Sequence, residues 1–249
     1  MRVMLTVAYD GTNYHGWQVQ PNGVTIEEIL NRCLSELFQE NIQVIGASRT
    51  DSGVHALSNI AVFDTTSRMP AEKVSYALNQ RLPDDIRIQK SQQVADTFHP
   101  RHQKSIKTYE YKILNREFAL PTERLYSYFT YIPLDIAMMQ EAAAYLEGEH
   151  DFKSFCSTNT TVETTVRTIY KIQVEKSGDM ISIQVSGSGF LYNMVRIIAG
   201  TLIEVGKGRM QPIQIRDILE SEKRESAGPT APANGLTLKN YQYMTEKEI

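Results

Sequence analysis

The order of strand-like and helix-like hydrophobic patterns most constrains how this 249-residue chain can fold. Alternation with a period of two predicts strands, and apolar spacing of three and four residues predicts helices. In the first part of the chain the predicted elements are strand 2–9, helix 24–38, strands 42–46 and 59–64, a helix from Pro70 to about Leu82, and strand 86–94. Thr25 and Glu28 have capping-box spacing at the start of the first helix. The order β-α-β-β-α-β is that of a ferredoxin-like unit.

The second part of the chain repeats this order loosely. Its predicted elements are strand 106–114, helix 135–147, paired strands 168–174 and 180–186, an apolar helix from Phe190 to Val205, and a closing strand 235–243. We therefore expect an α+β fold of two ferredoxin-like halves with largely antiparallel sheets and a central cleft. The expected halves are residues 1–100 and 101–249.

Composition and charge exclude several other classes of protein. No stretch approaches the roughly 18 consecutive apolar residues that a membrane helix requires, so we expect a soluble, cytoplasmic protein. Cys33 and Cys156 lack CxxC spacing, which argues against a disulfide framework or a zinc knuckle. The net charge of −3 argues against a protein that coats nucleic acid along its whole surface, although a local basic groove stays compatible with it.

The stretch from His99 to Arg116 contains such a local excess of positive charge. Only Glu110 opposes its basic residues, which are Arg101, Lys104, Lys107, Lys112 and Arg116. Tyr109 and Tyr111 share a predicted strand face with Lys107, and aromatic rings beside cations suit unstacked RNA bases and phosphates. Tyrosines at this spacing are also typical of sheet packing, and basic residues of a solvated strand face, so both interpretations stay open.

Asp51, the acidic residue of the segment from Ala47 to Ala56, is the main candidate for catalysis. Arg49 and Asp51 are two residues apart at the end of a predicted strand, so in an extended chain they project to the same face. A neighbouring arginine keeps a carboxylate ionised, as a nucleophile or general base requires. The same residues also fit an ordinary Asp-Ser-Gly turn in which the arginine is only a local partner.

Arg196 lies in the predicted helix that is apolar almost all round. An arginine in such surroundings needs a buried partner, and Asp51 is the candidate we favour. The alternative is that its aliphatic stem reaches to the surface.

Two competing functions use overlapping residues. A non-catalytic RNA-binding module would use the basic and aromatic strand without needing a buried aspartate. A metal-dependent phosphodiesterase would recruit Asp10, His15, Asp51 and His55, although these residues lack a characteristic metal-ligand spacing.

Four sequence blocks, in this order, resemble the TruA family of tRNA pseudouridine synthases. They are Tyr9-Asp10-Gly11 with Tyr14-His15-Gly16-Trp17-Gln18, Arg49-Thr50-Asp51-Ser52-Gly53-Val54-His55-Ala56, Lys107-Thr108-Tyr109-Glu110-Tyr111, and Met194-Val195-Arg196 with Gly200. The second block is highly specific. The chain departs from the family pattern at Ser48, where glycine is usual, and at Lys107, where arginine is frequent.

The resemblance implies conversion of uridine to pseudouridine in the anticodon arm of tRNA, at tRNA positions 38, 39 and 40, without a cofactor or metal. It places the catalytic aspartate at Asp51, the active-site tyrosine at Tyr109 and the arginines at Arg49 and Arg196. Leu236 and Leu238 would lie on a strand that walls the uracil pocket. We expect Arg101, Lys104 and Lys107 to contact the RNA backbone in the cleft, and the protein to form a homodimer.

Overall fold

The computed structural model describes residues 1–157 and 162–244. They form two compact units. The first unit comprises Met1–Lys104 and the C-terminal segment from Leu238, and the second comprises Ser105–Thr237.

The first unit has the element order that the sequence predicts. It contains β1 (Arg2–Tyr9), α1 (Ile26–Phe38), β2 (Ile45–Gly46), β3 (His55–Asp64), α2 (Val74–Asn79) and β4 (Ile86–Val94). The strands lie antiparallel in the order β4-β1-β3, and β2 pairs with β3. Val3, Leu5 and Val7 on β1 are fully buried, as the alternation predicts. Each such side chain contributes about 1.5–3 kcal/mol to the core.

Local hydrogen bonds explain where α1 and β2 begin. Thr25 and Glu28 form the predicted capping box at the start of α1. The predicted strand 42–46 is reduced to two residues, because side chains of α1 satisfy the backbone before it. Asn31 Oδ1 accepts from the Val44 amide at 2.8 Å, and Ser35 Oγ accepts from the Ile42 amide at 3.0 Å.

The second unit has the same α+β character with additional elements. It contains β5 (Ser105–Asn115), β6 (Tyr128–Thr130), α3 (Ile136–Ala144), β7 (Gly148–Asp151), β8 (Val166–Ser177), β9 (Met180–Gly187), α4 (Met194–Gly206) and α5 (Gln214–Ser221). The strands lie antiparallel in the order β7-β8-β9-β5, and β6 pairs with β5 in parallel. The apolar helix begins at Met194 instead of Phe190, because Asn193 has left-handed backbone angles with φ of 60°.

The closing strand, β10 (Leu236–Tyr243), lies beside β3. Tyr241 packs there with Ala47 and Ile60, and Ser58 Oγ donates a hydrogen bond to the Lys239 carbonyl at 3.0 Å. From Leu238 onward this strand therefore belongs to the first compact unit, whereas the halves expected from the sequence place it in the second. The α+β class with largely antiparallel sheets is confirmed. Within the described ranges, no helix has the length and apolar character needed to cross a membrane.

Candidate active site

Asp51 lies in the loop between β2 and β3, and main-chain hydrogen bonds hold this loop against the segment that follows β1. The Trp17 amide donates to the Thr50 carbonyl at 3.1 Å, and the Gly53 amide donates to the Tyr14 carbonyl at 3.2 Å. The Val54 amide donates to the Asp51 carbonyl at 3.1 Å and closes the turn. The aspartate is therefore carried by backbone fixed on both sides.

Two glycines allow this close approach of the two backbone segments. Gly16 has φ of 84°, and a Cβ added to it would lie 2.7 Å from the Thr50 carbonyl oxygen. A Cβ on Gly11 would overlap the Val54 carbonyl oxygen. Gly11 and Gly16 belong to the first sequence block of the family resemblance. Their lack of side chains lets the chain pack closely against the loop that contains the second block, Arg49–Ala56.

Buried polar side chains complete the support on the inner side of the loop. The Tyr9 hydroxyl and Thr50 Oγ1 lie 2.7 Å apart, and Asn59 Nδ2 donates to the Tyr9 hydroxyl at 3.3 Å. Burial raises the pKa of Tyr9 well above its usual value, so its phenol keeps its proton. Neither Thr50 nor Asn59 was identified from the sequence as a support of this loop, because only the tertiary structure brings them to Tyr9.

The exposure of neighbouring residues indicates which way the loop presents its charged groups. Thr50 is buried, whereas Arg49 is exposed and Asp51 is half-buried. A buried residue between two more exposed ones is the alternation expected of extended backbone, in which Arg49 and Asp51 share one face and Thr50 lies on the other. This agrees with the predicted shared face, while a direct ion pair between them stays a prediction.

A second arginine lies beside the loop. Arg101 Nε donates a hydrogen bond to the Gly46 carbonyl at 2.7 Å. Burial, and then the charge of Arg49, lower the pKa of Arg101, so the two guanidinium groups interact electrostatically. Together they form a cationic pair next to the loop that contains Asp51.

The residues of the alternative metal site are not brought together as a set. His55 Nδ1 lies 3.1 Å from Asp10 Oδ1 and 3.0 Å from the Gly11 amide nitrogen, whereas the His15 ring packs against Gly23. Among the residues that the structure describes, no group of three or more His, Cys, Asp and Glu side chains could hold a metal ion. The geometry of this region therefore does not favour the phosphodiesterase hypothesis.

In the second unit, Tyr109 and Tyr111 lie on the buried face of β5. The Tyr109 ring meets the Phe190 ring edge to face, with centroids 5.3 Å apart. Tyr111 is fully buried, and its hydroxyl donates to the Pro232 carbonyl at 2.9 Å. Tyr111 therefore has the sheet-packing role that the sequence left open, whereas the packing of Tyr109 on one aromatic ring fixes the orientation of its own ring.

Arg196 is held by acceptors of its own unit. Its Nε donates to the Ala231 carbonyl at 2.8 Å, and its Nη1 donates to Asn193 Oδ1 at 2.8 Å. Asn193 Nδ2 in turn donates to Ser157 Oγ at 2.8 Å. These contacts orient the guanidinium, and neither Asn193 nor Ser157 was identified from the sequence. Pairing of Arg196 with Asp51 stays a prediction.

Arg196 also interacts electrostatically with Tyr111 on β5. Burial raises the pKa of Tyr111, and the positive charge of Arg196 acts in the opposite direction. The second unit therefore brings Arg196 close to the strand that carries Tyr109.

The remaining predicted residues differ in exposure. Leu236 and Leu238 are buried, Lys104 is exposed, and Lys107 is half-buried. In the rest of the basic stretch, Lys112 Nζ lies 3.9 Å from Glu110 Oε2, and Arg116 Nη1 lies 3.3 Å from Asp179 Oδ2. These two positive charges are partly compensated by acids of the second unit. Phosphate contact by Arg101, Lys104 and Lys107 stays a prediction.

Comparisons with known proteins agree with the resemblance in sequence. The family model described as tRNA pseudouridine synthase matches residues 5–103 and 142–244. The chain is 49% identical to tRNA pseudouridine synthase A of Thermoanaerobacter sp. (strain X514), over 95% of this chain and 97% of that protein. It is 50% identical to tRNA pseudouridine synthase A 2 of Clostridium tetani (strain Massachusetts / E88), over 97% and 98% of the two chains.

A solved Cbf5-Nop10-Gar1 complex matches with 15% identity and a TM-score of 0.35, over 90% of this chain and 60% of that one, which is too distant to support an argument. The family model and the two relatives cover almost the whole chain, including the loop of Asp51 and the helix of Arg196. The chain therefore belongs to the TruA family of tRNA pseudouridine synthases, which are isomerases.

Proposed function

We propose that the protein converts uridine to pseudouridine in the anticodon arm of tRNA, at tRNA positions 38, 39 and 40, with Asp51 as nucleophile or general base. The observation that carries this proposal is the setting of Asp51. Its carboxylate is half-buried on a loop whose other side is fixed by buried hydrogen bonds. Family membership supports the type of reaction.

The reaction defines what the site must do. The N1–C1′ bond of the uridine breaks, the uracil turns while bound, and a C5–C1′ bond forms. C5 loses its proton and N1 gains one, so no other reactant is consumed. The target nucleotide must first leave its stack, which costs a few kcal/mol. Asp51 would attack the ribose or the uracil, or remove a proton, and all of these steps need an ionised carboxylate.

The other candidate residues have roles that follow from their chemistry. Arg196 would hold Asp51 ionised, and Arg49 would occupy the space that the flipped base leaves. Tyr109 would pack against the uracil, supported from behind by Phe190. Leu236 and Leu238 would contribute an apolar wall that keeps water from the separated uracil.

Replacing the catalytic carboxylate tests the proposal directly. Asp51→Asn keeps the size and removes the charge, so we expect tRNA binding to persist and turnover to fall at least about 1,000-fold. Turnover is measured as release of tritium from C5 of uridine in tRNA. Asp84→Asn is the matched control, because Asp84 is an exposed acid in the same unit that pairs with nearby Arg87, and it should keep wild-type turnover.

Two results would contradict parts of the proposal. Substantial turnover by Asp51→Asn would exclude its catalytic role, and unchanged modification of tRNA 38–40 in cells lacking the protein would exclude those positions. Incubating tRNA with and without EDTA separates the alternatives. Isomerisation without mass change in both samples supports the synthase, no change supports a binding module, and chelator-sensitive strand cleavage supports a phosphodiesterase.

The salt dependence of tRNA binding tests the proposed phosphate contacts. Lys104 is exposed, and a lysine that neutralises one phosphate contributes about one unit to the salt slope. We expect Lys104→Gln to reduce the slope by about one, while Lys153→Gln, which removes a lysine paired with Glu222, leaves it unchanged. An unchanged slope for Lys104→Gln would remove that residue from the RNA contact surface.

We also propose that two copies act together, as the family resemblance implies. A second copy would extend a modest basic strip over a large tRNA. Light scattering should give twice the mass of one chain, and the mass of a single chain would contradict the proposal.

A further inference from the structure

We propose that Thr50 is a positioning residue for Asp51, and that its buried hydroxyl, held by Tyr9, sets the direction in which the loop presents the carboxylate. The proposal rests on the catalytic role proposed for Asp51. Thr50 Oγ1 lies 2.7 Å from the Tyr9 hydroxyl, and both residues are less than 10% exposed, at 7% and 5%. Tyr9 is the last residue of β1, so the hydroxyl pair ties the loop to the sheet.

A buried amide extends this support to both sides of the loop. Asn59 is fully buried on β3, and its Nδ2 donates to the Tyr9 hydroxyl at 3.3 Å and to the Ser48 carbonyl at 3.0 Å. Its Oδ1 accepts from the Ser48 amide at 3.3 Å. The Asn59 side chain therefore holds both the backbone of Ser48, two residues before Thr50, and the Tyr9 hydroxyl that contacts Thr50.

Thr50 is anchored at two atoms. Its carbonyl accepts from the Trp17 amide at 3.1 Å, and its hydroxyl meets Tyr9. The Thr50 carbonyl and the Asp51 amide lie in one peptide plane, so fixing the carbonyl and the side chain of Thr50 constrains the direction of the Cα–Cβ bond of Asp51. With the Thr50 side chain held towards the buried Tyr9, the Asp51 side chain is directed away from it.

Packing alone does not require the hydroxyl group of Thr50. Valine has nearly the shape of threonine and would fill the same space without a polar group to satisfy. A displacement of about 1 Å at reacting atoms lowers rates by about 100-fold. A hydrogen bond that specifies the loop conformation therefore affects catalysis more than it affects tRNA binding.

The decisive comparison is between Thr50→Val, which removes the hydroxyl, and Thr50→Ser, which keeps it. We expect Thr50→Val to lower kcat 10- to 100-fold, with the Kd for tRNA changed less than about twofold. Thr50→Ser should restore kcat to within about threefold of wild type. Tyr9→Phe should lower kcat at least as much as Thr50→Val, because it removes the same hydrogen bond and also the acceptor of Asn59 Nδ2. The double variant should lose no more than Tyr9→Phe alone, since the Thr50–Tyr9 hydrogen bond is already absent there.

Thr65→Val is the matched control. Thr65 is also buried in the first unit, at 4% exposure, and its hydroxyl donates to Glu40 Oε1 at 3.1 Å, but it follows the opposite end of β3. This variant should lose stability like Thr50→Val while kcat stays at the wild-type value.

The outcomes separate the positioning role from the catalytic proposal. Wild-type kcat in Thr50→Val, equal losses in Thr50→Val and Thr50→Ser, or an equal loss in Thr65→Val would each overturn the inference. If Thr50→Val does not fold, wild-type kcat in Tyr9→Phe would overturn it instead. Turnover by Asp51→Asn would refute the role of Asp51 itself, whatever the Thr50 variants do.

Discussion

The loop that carries Asp51 and the first turn of helix α4, which carries Arg196, are held in place by different kinds of contact. Around Asp51, main-chain hydrogen bonds join two backbone segments, and these segments lie so close together that residue 16 has no room for a side chain beside Thr50. Around Arg196, the guanidinium itself donates to Ala231 and Asn193. The position of the Asp51 carboxylate is therefore set by the packed backbone of its loop, whereas the position of the Arg196 guanidinium is set by hydrogen bonds of its own side chain.

This difference has a physical basis in the two side chains. An aspartate has a short side chain, so its position follows its Cα closely and requires a precise backbone. An arginine has a long flexible side chain that loses about 2 kcal/mol of conformational entropy when it is ordered, so it needs acceptors near its end. Substitutions that disturb the backbone packing near Asp51 should therefore lower stability together with activity, whereas substitutions near Arg196 should act on activity with little loss of stability.

The largest effect should come from adding a methyl group between the two backbone segments at Asp51. Gly16→Ala combines a left-handed backbone, with φ of 84°, and a Cβ 2.7 Å from the Thr50 carbonyl oxygen. We expect a loss of about 3 kcal/mol in the free energy of unfolding, with a parallel loss of turnover. The measurements are urea unfolding followed by fluorescence and tritium release from tRNA.

Gly208→Ala separates backbone strain from steric overlap. Gly208 has φ of 72°, and a Cβ there would meet nothing within 4 Å, so this variant should lose only about 1 kcal/mol and keep its turnover. Equal losses in the two variants would show that close packing at Gly16 does not support the loop.

A smaller effect, on activity instead of stability, should follow from removing a hydrogen bond that orients the Arg196 guanidinium. Asn193→Gly keeps the left-handed turn and removes the acceptor of Arg196 Nη1. This hydrogen bond orients the guanidinium, so we expect its loss to lower kcat about tenfold, which is about 1.4 kcal/mol in activation free energy, while the unfolding midpoint changes little.

Gln39→Gly is the control for that change, because Gln39 is also left-handed, with φ of 56°, at the end of α1. It should keep wild-type turnover. A stability loss without a change in kcat for Asn193→Gly would contradict the proposed difference between the two regions.

The smallest effect, and one of opposite sign, is expected at Ser48. Its Oγ is buried and has no hydrogen-bond partner among the residues that the structure describes. Removing an unsatisfied hydroxyl by Ser48→Ala should raise the free energy of unfolding by about 1 kcal/mol without changing kcat.

The control for Ser48 is a buried serine whose hydroxyl is satisfied. Ser154 Oγ donates to the Ile218 carbonyl at 2.6 Å, so Ser154→Ala should lower the free energy of unfolding by about 1 kcal/mol. A loss of stability in Ser48→Ala would show that its hydroxyl is satisfied in solution.

Regular elements were predicted well wherever one local pattern determines them. Strand 86–94 agrees with β4 in both bounds, and the capping box at Thr25 marks the start of α1. The start of α4 was wrong by four residues, because an apolar pattern does not report the left-handed angle at Asn193. Helix α5 was not predicted, and strand 42–46 was predicted too long because the hydrogen bonds of Ser35 and Asn31 are invisible to periodicity.

For the candidate site, the sequence by itself determined the chemical groups and the family. The carboxylate of Asp51, its alternation with Arg49, and the blocks around Tyr109 and Arg196 were all readable, because residue type and spacing are local properties. Only the tertiary structure decided which groups support them. Tyr9 and Thr50 are 41 positions apart, and Arg196 and Ala231 are 35 apart. Such contacts arise from how the sheets and loops pack, and no local pattern encodes that packing.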